Sequence, residues 1–363
     1  MYRKDDIGPE HIVEVYDQHT GMKGVLVIDN TALGLGKGGI RFVRDITTEE
    51  VMGLARAMTW KNALAGLPFG GAKSGILGNP REVNKEAYVR SFARKIKQYV
   101  PDLYIAGPDM NMTEKEMAQI AEELGNPKAA TGKPASMGGL PHELGSTGYG
   151  VALSTKVAIE HQGKSLEGMT VAIEGFGNVG TFTMKFLTEW GAKVVAVSDS
   201  KGAIYDEAGL DYGELFKTKQ EKRTVTAHEK GKVLEGPELF KLPVDILIPG
   251  ARPNVITMEN VNGVKAKYLP EAANIPIKYD VEKVLMEKGV LIIPDILANS
   301  GGVISSYCET EGWDEKKMFE VVTEKITHNT KLMVERLWEG NDARAAAMSI
   351  ARERVEGAMA KKG

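Results

Sequence analysis

Apolar and polar positions alternate with a period of two at the start of the chain. His11–Asp17 (HIVEVYD) and residues 23–29 (KGVLVID) are rich in Val and Ile and flank a QHTG turn, so a pair of strands is expected there. A glycine-dense loop is expected from 34 to 39. The period then changes. Val51, Leu54, Ala55 and Met58 recur at helical spacing behind Thr47, and Glu50 completes a capping-box signature. The segment GLPFGGAKSGILGNP reads as a second glycine-rich interruption. Helices are expected over about 84–100 and from Thr113, with Glu116 in its first turn. From about residue 150 short apolar runs alternate with helical ones: MTVAIEGFG, TFTMKFLTEWG and KVVAVSD, then VDILIPG, KYLPEAAN and GVLIIPD. That alternation predicts a parallel, doubly wound sheet. Two long helices are expected at the end, over 314–339 and 342–361.

At 363 residues the chain has room for two domains of roughly 150 residues each, and the glycine-rich stretch 131–150 is the candidate hinge. A hydrophobic fraction of 42% and a charged fraction of 26% are ordinary for a folded protein and argue against disorder. Lys and Arg total 46 against 49 Asp and Glu; without a basic excess or stripe, a nucleic-acid partner is not expected. No apolar run reaches membrane-spanning length and the first residues lack a signal-peptide core, so no membrane partner is expected and the expected location is the cytoplasm. Cys308 is the only cysteine and the six histidines lack ligand spacing, so neither a disulfide nor a metal site is expected.

Gly175, Gly177 and Gly180 stand in the G-x-G-x-x-G spacing, with Asn178 and Val179 between the last two, directly after an apolar strand and at the opening of the helix TFTMKFLTEWG. The first glycine permits the tight turn. The second lets the backbone approach a pyrophosphate, and the third lets helix and strand pack closely. Asp199 ends the next strand. As an unscreened carboxylate it is expected to accept the ribose hydroxyls and to disfavour a 2′-phosphate, so NAD is expected ahead of NADP, with Ser200 and Lys201 softening the rejection. The alternative is a Rossmann-like turn that binds no nucleotide.

Lys37 (GLGKGGIR), Lys61 (AMTWKNALAGLP) and Lys73 (FGGAKSGI) have unusual surroundings. Each could be a solvated surface charge. Flanking glycines around Lys37 and Lys73 instead suggest backbone that approaches a ligand. Lysines gathered in a closed cleft repel one another and lose solvent. Both effects lower an amine pKa, so one could serve as a base while others bind carboxylate. Asp109, in IAGPDMN, is either a proton-transfer group or part of an ordinary turn opening the helix capped by Thr113.

Taken together, KGGIR, MTWKNALAGLPFGGAKSGI, GPDMN, TGKP, EGFGNVG, SDSKG, DILIPGA and PDILANSGGV make the chain resemble the glutamate/leucine/phenylalanine/valine dehydrogenase superfamily along nearly its whole length. The resemblance implies an α/β protein of two domains. The first is an N-terminal substrate and oligomerisation domain (1–140, rejoined by C-terminal helices at about 330–363), the second a Rossmann-type dinucleotide-binding domain (141–329). It implies reversible oxidative deamination of an L-amino acid to a 2-oxo acid and ammonia, and a homo-oligomer, with a hexamer favoured. It also implies residue roles: Lys73 as the catalytic lysine of lowered pKa, Asp109 as proton shuttle, Lys61 on the α-carboxylate, Thr147 on the nicotinamide amide, and Asn274 and Asn299 seating cofactor and substrate.

The substrate side chain is the open question. In the glutamate branch a lysine at the Lys37 position and a serine at the Ser306 position bind the side-chain carboxylate, which favours glutamate here. A leucine-type, branched-chain reading stays open. The N-terminal segment is short, VYDQHTGMKGVLVIDNTALG reads like that branch, Leu140 and Glu143 depart from the glutamate pattern, and Gly107 in place of alanine would widen the pocket. A non-catalytic nucleotide-binding protein is the more distant alternative; Lys73 with Asp109 argues against it.

Overall fold

The structure, a computed structural model, describes residues 4–141, 144–337 and 342–362. His142, Glu143 and Glu339 lie outside the described residues. The chain divides into two compact units, one of residues 1–144, 303–321 and 350–363, the other of 145–302 and 322–349. The chain therefore rejoins the first unit at 303, earlier than the expected 330, and 322–349 belong to the second.

In the first unit β1 (His11–Asp17), β2 (Met22–Asn30), β3 (Gly36–Val43), α1 (Thr48–Leu64), β4 (Gly70–Leu77), α2 (Lys85–Ile96), β5 (Tyr104–Pro108) and α3 (Glu114–Leu124) follow in order. The sheet order is β1-β2-β4-β3-β5, with β3 parallel to both β4 and β5. Both faces of β2 are covered, as its apolar run requires. Leu26 and Ile28 pack with Phe42, Ile76, Phe92 and Met117, whereas Val25 and Val27 pack with Ile46, Val51 and Ala55 of the α1 side. Thr47 caps α1 by accepting from Glu50 N–H at 3.1 Å. The reciprocal half of the expected box is replaced by an ion pair from the Glu50 carboxylate to Arg41 at 2.8 Å.

The two expected glycine-rich loops are strands. Gly36 to Gly39 open β3, and GGAKSGIL is the interior strand β4. Packing overrides the low strand propensity of glycine, because these backbones touch their neighbours directly. A Cβ on Gly71 would stand 2.1 Å from Thr59 Oγ1 of α1, and one on Gly38 would stand 1.7 Å from the Ala72 carbonyl oxygen.

The second unit holds α4 (Ser146–His161), β6 (Thr170–Glu174), α5 (Asn178–Glu189), β7 (Lys193–Asp199), β8 (Gly202–Tyr205), α6 (Tyr212–Lys222), β9 (Lys232–Leu234), β10 (Ile246–Pro249), β11 (Tyr268–Pro270), α7 (Tyr279–Glu287), β12 (Leu291–Ile293) and α8 (Asp295–Ala298). The helices α9 (Gly301–Thr310), α10 (Glu315–Leu337) and α11 (Ala343–Lys362) complete the chain. The sheet order is β12-β11-β10-β6-β7-β8-β9. From β12 to β7 neighbours are parallel, as expected, while β8 and β9 add an antiparallel edge. Chain order reverses beside β6. In sheets of this kind that switch point, at the carboxyl ends of the strands, is where ligands bind.

Candidate active site

In the first unit, three neighbouring strands carry the predicted chemistry. Lys37 lies on β3 with Gly71 of β4 and Ile105 of β5 as its register partners, Lys73 lies on β4, and Asp109 directly follows β5. Lys73 Nζ and the Asp109 carboxylate form a hydrogen-bonded ion pair with side chains 9% and 16% exposed. Asp109 also accepts from Met110 N–H at 2.6 Å, and Arg41 Nε stands 3.5 Å away. Burial alone would raise the acid's pKa. Lys73, Arg41 and the Met110 amide outweigh it and hold Asp109 below the ordinary carboxylate value. The residue is therefore an ionised, cation-paired carboxylate, not a bare turn residue.

The Lys37 side chain points inward. The residue is 3% exposed and donates to the Ala106 carbonyl at 3.0 Å. Among the described residues no carboxylate pairs with it directly. Burial brings its amine pKa down to about 7; Lys133 and Lys73 act in the same direction, and Glu309 opposes them. Gly107, which the sequence suggested would widen the pocket, stands beside the Lys37 amine. A Cβ there would lie 2.8 Å from Lys37 Nζ, so the missing methyl makes room for the amine. The sequence reading missed Glu309 of α9, which accepts from Lys133 Nζ at 2.5 Å, Gly132 N–H at 2.8 Å and Leu140 N–H at 3.0 Å. Glu309 pins the TGKP segment to α9, and only tertiary contact reveals it. Ser306 sits half-buried one turn earlier on α9, and Lys61 half-buried in the last turn of α1. Beside Lys61, Asn62 ties the helix to the strands by donating to the Gly70 carbonyl at 2.7 Å.

The second unit carries the dinucleotide motif at its switch point. Gly175 has φ +97° and would press a Cβ to 2.9 Å from Ala251, while Gly180 would drive one to 1.9 Å from the Gly175 carbonyl oxygen. Around Gly177 a Cβ would meet nothing within 4 Å. Gly177 and Asn178 are exposed, Val179 is half-buried, and no side chain caps the N-terminus of α5. Open space in front of uncapped helix amides fits a pyrophosphate, which gains from both the free N–H groups and the helix dipole. Glu174 braces the turn by accepting from Gly250 and Ala251 N–H at 3.0 and 2.7 Å. Beyond β11, Asn299 Nδ2 donates to Asn274 Oδ1 at 3.1 Å and to the Ala272 carbonyl at 3.2 Å. Thr147 lies in the first turn of α4, where Gly302 permits close approach: a Cβ on Gly302 would be 2.9 Å from Thr147 Oγ1.

Asp199 departs from expectation. Its carboxylate is not unscreened, because Lys219 Nζ lies 2.6 Å from Oδ2. The charged stretch KTKQEKRTVTAHEKGK supplies this lysine from α6. Ser200 and Lys201, directly beyond the strand end, are exposed.

Family comparison agrees with this geometry. Residues 9–126 match the dimerisation domain of Glu/Leu/Phe/Val dehydrogenases, and residues 138–363 match the Glutamate/Leucine/Phenylalanine/Valine dehydrogenase family. A glutamate dehydrogenase of Aeropyrum pernix is 44% identical over 357 residues, spanning 92% of this chain and 85% of that protein. An NADP-specific glutamate dehydrogenase of Saccharolobus shibatae is 36% identical, spanning 98% of this chain and 90% of its own. The solved hetero-hexameric glutamate dehydrogenase of Thermus thermophilus, in its Leu-bound form, superposes with a TM-score of 0.86 at 28% identity, over 98% of this chain and 90% of that one. With two family models covering nearly all of its length, the chain belongs to the glutamate/leucine/phenylalanine/valine dehydrogenases, NAD(P)-dependent oxidoreductases of amino acids.

Proposed function

We propose that this chain catalyses the reversible oxidative deamination of L-glutamate, with water, to 2-oxoglutarate and ammonia. The observation that carries the reaction is the buried Lys73–Asp109 ion pair. When bound, the nicotinamide cofactor supplies the hydride acceptor. The protein's part is to hold the substrate and move protons. Lys61 binds the α-carboxylate. The Asp109 carboxylate takes a proton from the substrate ammonium, so that the nitrogen lone pair can assist loss of hydride from Cα. Once Asp109 has taken that proton, Lys73 gives its own proton to solvent, and its neutral amine orients and deprotonates the water that attacks the resulting imine carbon; Asp109 returns a proton to the departing nitrogen, and the hydroxyl loses its proton as the C–N bond breaks, leaving the 2-oxo acid and ammonia. Lys73 and Asp109 are hydrogen-bonded to each other and largely buried, which sets a proton donor and a proton acceptor side by side for general acid–base catalysis. In the second unit Gly175, Gly177, Asn178, Val179 and Gly180 bind the pyrophosphate, and Thr147, Asn274 and Asn299 align the nicotinamide end.

Glutamate is favoured by Lys37, an inward-facing amine without a direct carboxylate partner among the described residues, on the same unit as Ser306. A site built to pair with a side-chain carboxylate rejects substrates lacking it, because they leave the buried cation unmatched. The names of the relatives point the same way, and the branched-chain reading is the less supported one. The match of residues 9–126 to a dimerisation domain supports an oligomer, for which we propose a hexamer, working in the cytoplasm. The test is absorbance at 340 nm with purified protein, each cofactor and a panel of L-amino acids. Turnover of glutamate ahead of leucine and valine is expected; no turnover of any amino acid would refute the enzyme reading.

A further inference from the structure

An acid at the end of the second Rossmann strand selects against a 2′-phosphate in two ways. It presents negative charge, and it offers a free oxygen to the ribose hydroxyls. Asp199 does neither. Its Oδ1 accepts from Lys201 N–H at 2.9 Å and Thr224 Oγ1 at 3.2 Å, and its Oδ2 accepts from Lys219 Nζ at 2.6 Å and Val225 N–H at 2.8 Å. A carboxylate has about four acceptor positions, and these contacts take them. The Asp199 side chain is 5% exposed, and Thr224 is itself fixed by Thr226 Oγ1 at 2.9 Å. Asp199 thus staples the segment after α6 to the strand end. Its charge is balanced by Lys219 and its hydrogen-bonding capacity is used within the protein. What remains exposed around it is donor-rich and cationic: Ser200 and Lys201 beyond β7, and Arg223 at the end of α6, next to Thr224. Hydroxyls and cations of this kind suit a phosphate.

We infer that Lys219 is a specificity-determining residue: by neutralising Asp199 it lets the chain accept a 2′-phosphorylated nicotinamide dinucleotide as well as the unphosphorylated one. This rests on the dehydrogenase reading above, and it removes the preference for NAD expected from Asp199 as a free acid. Lys219 acts through Asp199 and is a positioning residue.

Two measurements on the full-length protein test it. Calorimetric titration with 2′,5′-ADP and with 5′-ADP reads the adenosine end without catalysis. The wild-type protein should bind 2′,5′-ADP within tenfold of 5′-ADP or more tightly. Lys219→Met should weaken 2′,5′-ADP at least tenfold more than 5′-ADP, Lys219→Arg should restore the wild-type ratio, and Lys219→Met with Asp199→Asn should recover most of it. The ratio of kcat/KM for NADP over NAD with glutamate should follow the same order. A wild-type protein that binds 5′-ADP but takes 2′,5′-ADP a thousandfold more weakly would overturn the inference, as would a Lys219→Met variant that weakens both ligands equally. If both ligands bind as expected yet no amino acid is oxidised with either cofactor, the inference stands and the dehydrogenase reading falls.

Discussion

The role proposed for Lys37 makes substrate choice depend on pH. Its amine is buried, and its pKa is lowered from 10.5 to about 7 by loss of solvent and by Lys133 and Lys73. Only the protonated form can pair with a substrate carboxylate. At an effective dielectric constant of about 20, two charges about 4 Å apart attract by about 4 kcal/mol, which corresponds to a preference of about a thousandfold for glutamate over an apolar amino acid when Lys37 is fully charged. Above pH 7 the charged fraction of the free enzyme falls about tenfold per pH unit. Other titrating groups, Asp109 and the substrate amine among them, affect both substrates alike, so the ratio of kcat/KM for glutamate over leucine isolates Lys37. That ratio should be level below pH 6.5 and fall by about fiftyfold between pH 7 and 9. In Lys37→Met it should be low and independent of pH. Folding stability provides a second reading with its own sign. A lysine of depressed folded pKa binds fewer protons folded than unfolded between pH 7 and 10.5. Stability therefore rises with pH across that window and is lost as pH falls towards 7. At about 1.36 kcal/mol per pH unit the window amounts to about 5 kcal/mol, so Lys37→Met should stabilise the protein more at pH 6 than at pH 9 in denaturant titrations. A glutamate-to-leucine ratio that stays flat from pH 6 to 9 in the wild type, or that falls equally steeply in Lys37→Met, would refute this account.

Other consequences are as specific. Asp109→Asn removes the proposed proton acceptor and keeps the shape; kcat should fall by about a hundredfold to ten-thousandfold with little change in melting temperature, read at 340 nm and by circular dichroism. Glu309→Gln removes the charge that opposes deprotonation of Lys37, so the midpoint of the glutamate-to-leucine profile should move to lower pH, and the unmatched Lys133 should cost about 3–5 kcal/mol in denaturant melts. Gly71→Ala places a methyl 2.1 Å from Thr59 Oγ1 and 2.2 Å from Thr59 N; moving α1 off the sheet should cost about 1–3 kcal/mol or more, seen as a lower melting temperature and a weaker KM for glutamate. Arg344 pairs with Glu271 at 2.7 Å, Glu282 at 2.6 Å and Asp295 at 3.0 Å. Burial, Glu282 and Asp295 already raise the Glu271 pKa against the opposing pull of Arg344. Arg344→Met should destabilise by about 3–5 kcal/mol at pH 7 and by less at pH 5, where the stranded acids take up protons.

What the sequence reveals depends on whether a feature is local. The β6–α5–β7 unit is legible because its apolar runs, its glycines and its spacing to Asp199 all lie within about thirty residues, the span of one such unit. Lys73 and Asp109 stand out because their neighbours are unusual, although their pairing across β4 and β5 is not visible without the fold. The failures share one cause. GKGGIR and GGAKSGIL look like loops because propensity counts glycine against strands. They are strands because Thr59 and the Ala72 carbonyl lie where Cβ atoms would go, and those contacts come from elsewhere in the chain. The same holds for charge. Asp199 looks like a free acid until Lys219, twenty residues on, closes over it, and the glycines beside Lys37 suggest a ligand site without showing that Ala106, Gly107 and Glu309 surround its amine. Titratable side chains acquire their chemistry from whatever packs on them. A motif can therefore name the residues of a site, but only the fold tells which of them remain charged and which have charge left over for a ligand. On that criterion Lys37, a buried amine that no carboxylate among the described residues pairs with directly, has charge left over for a ligand, whereas Asp199 uses its own inside the protein.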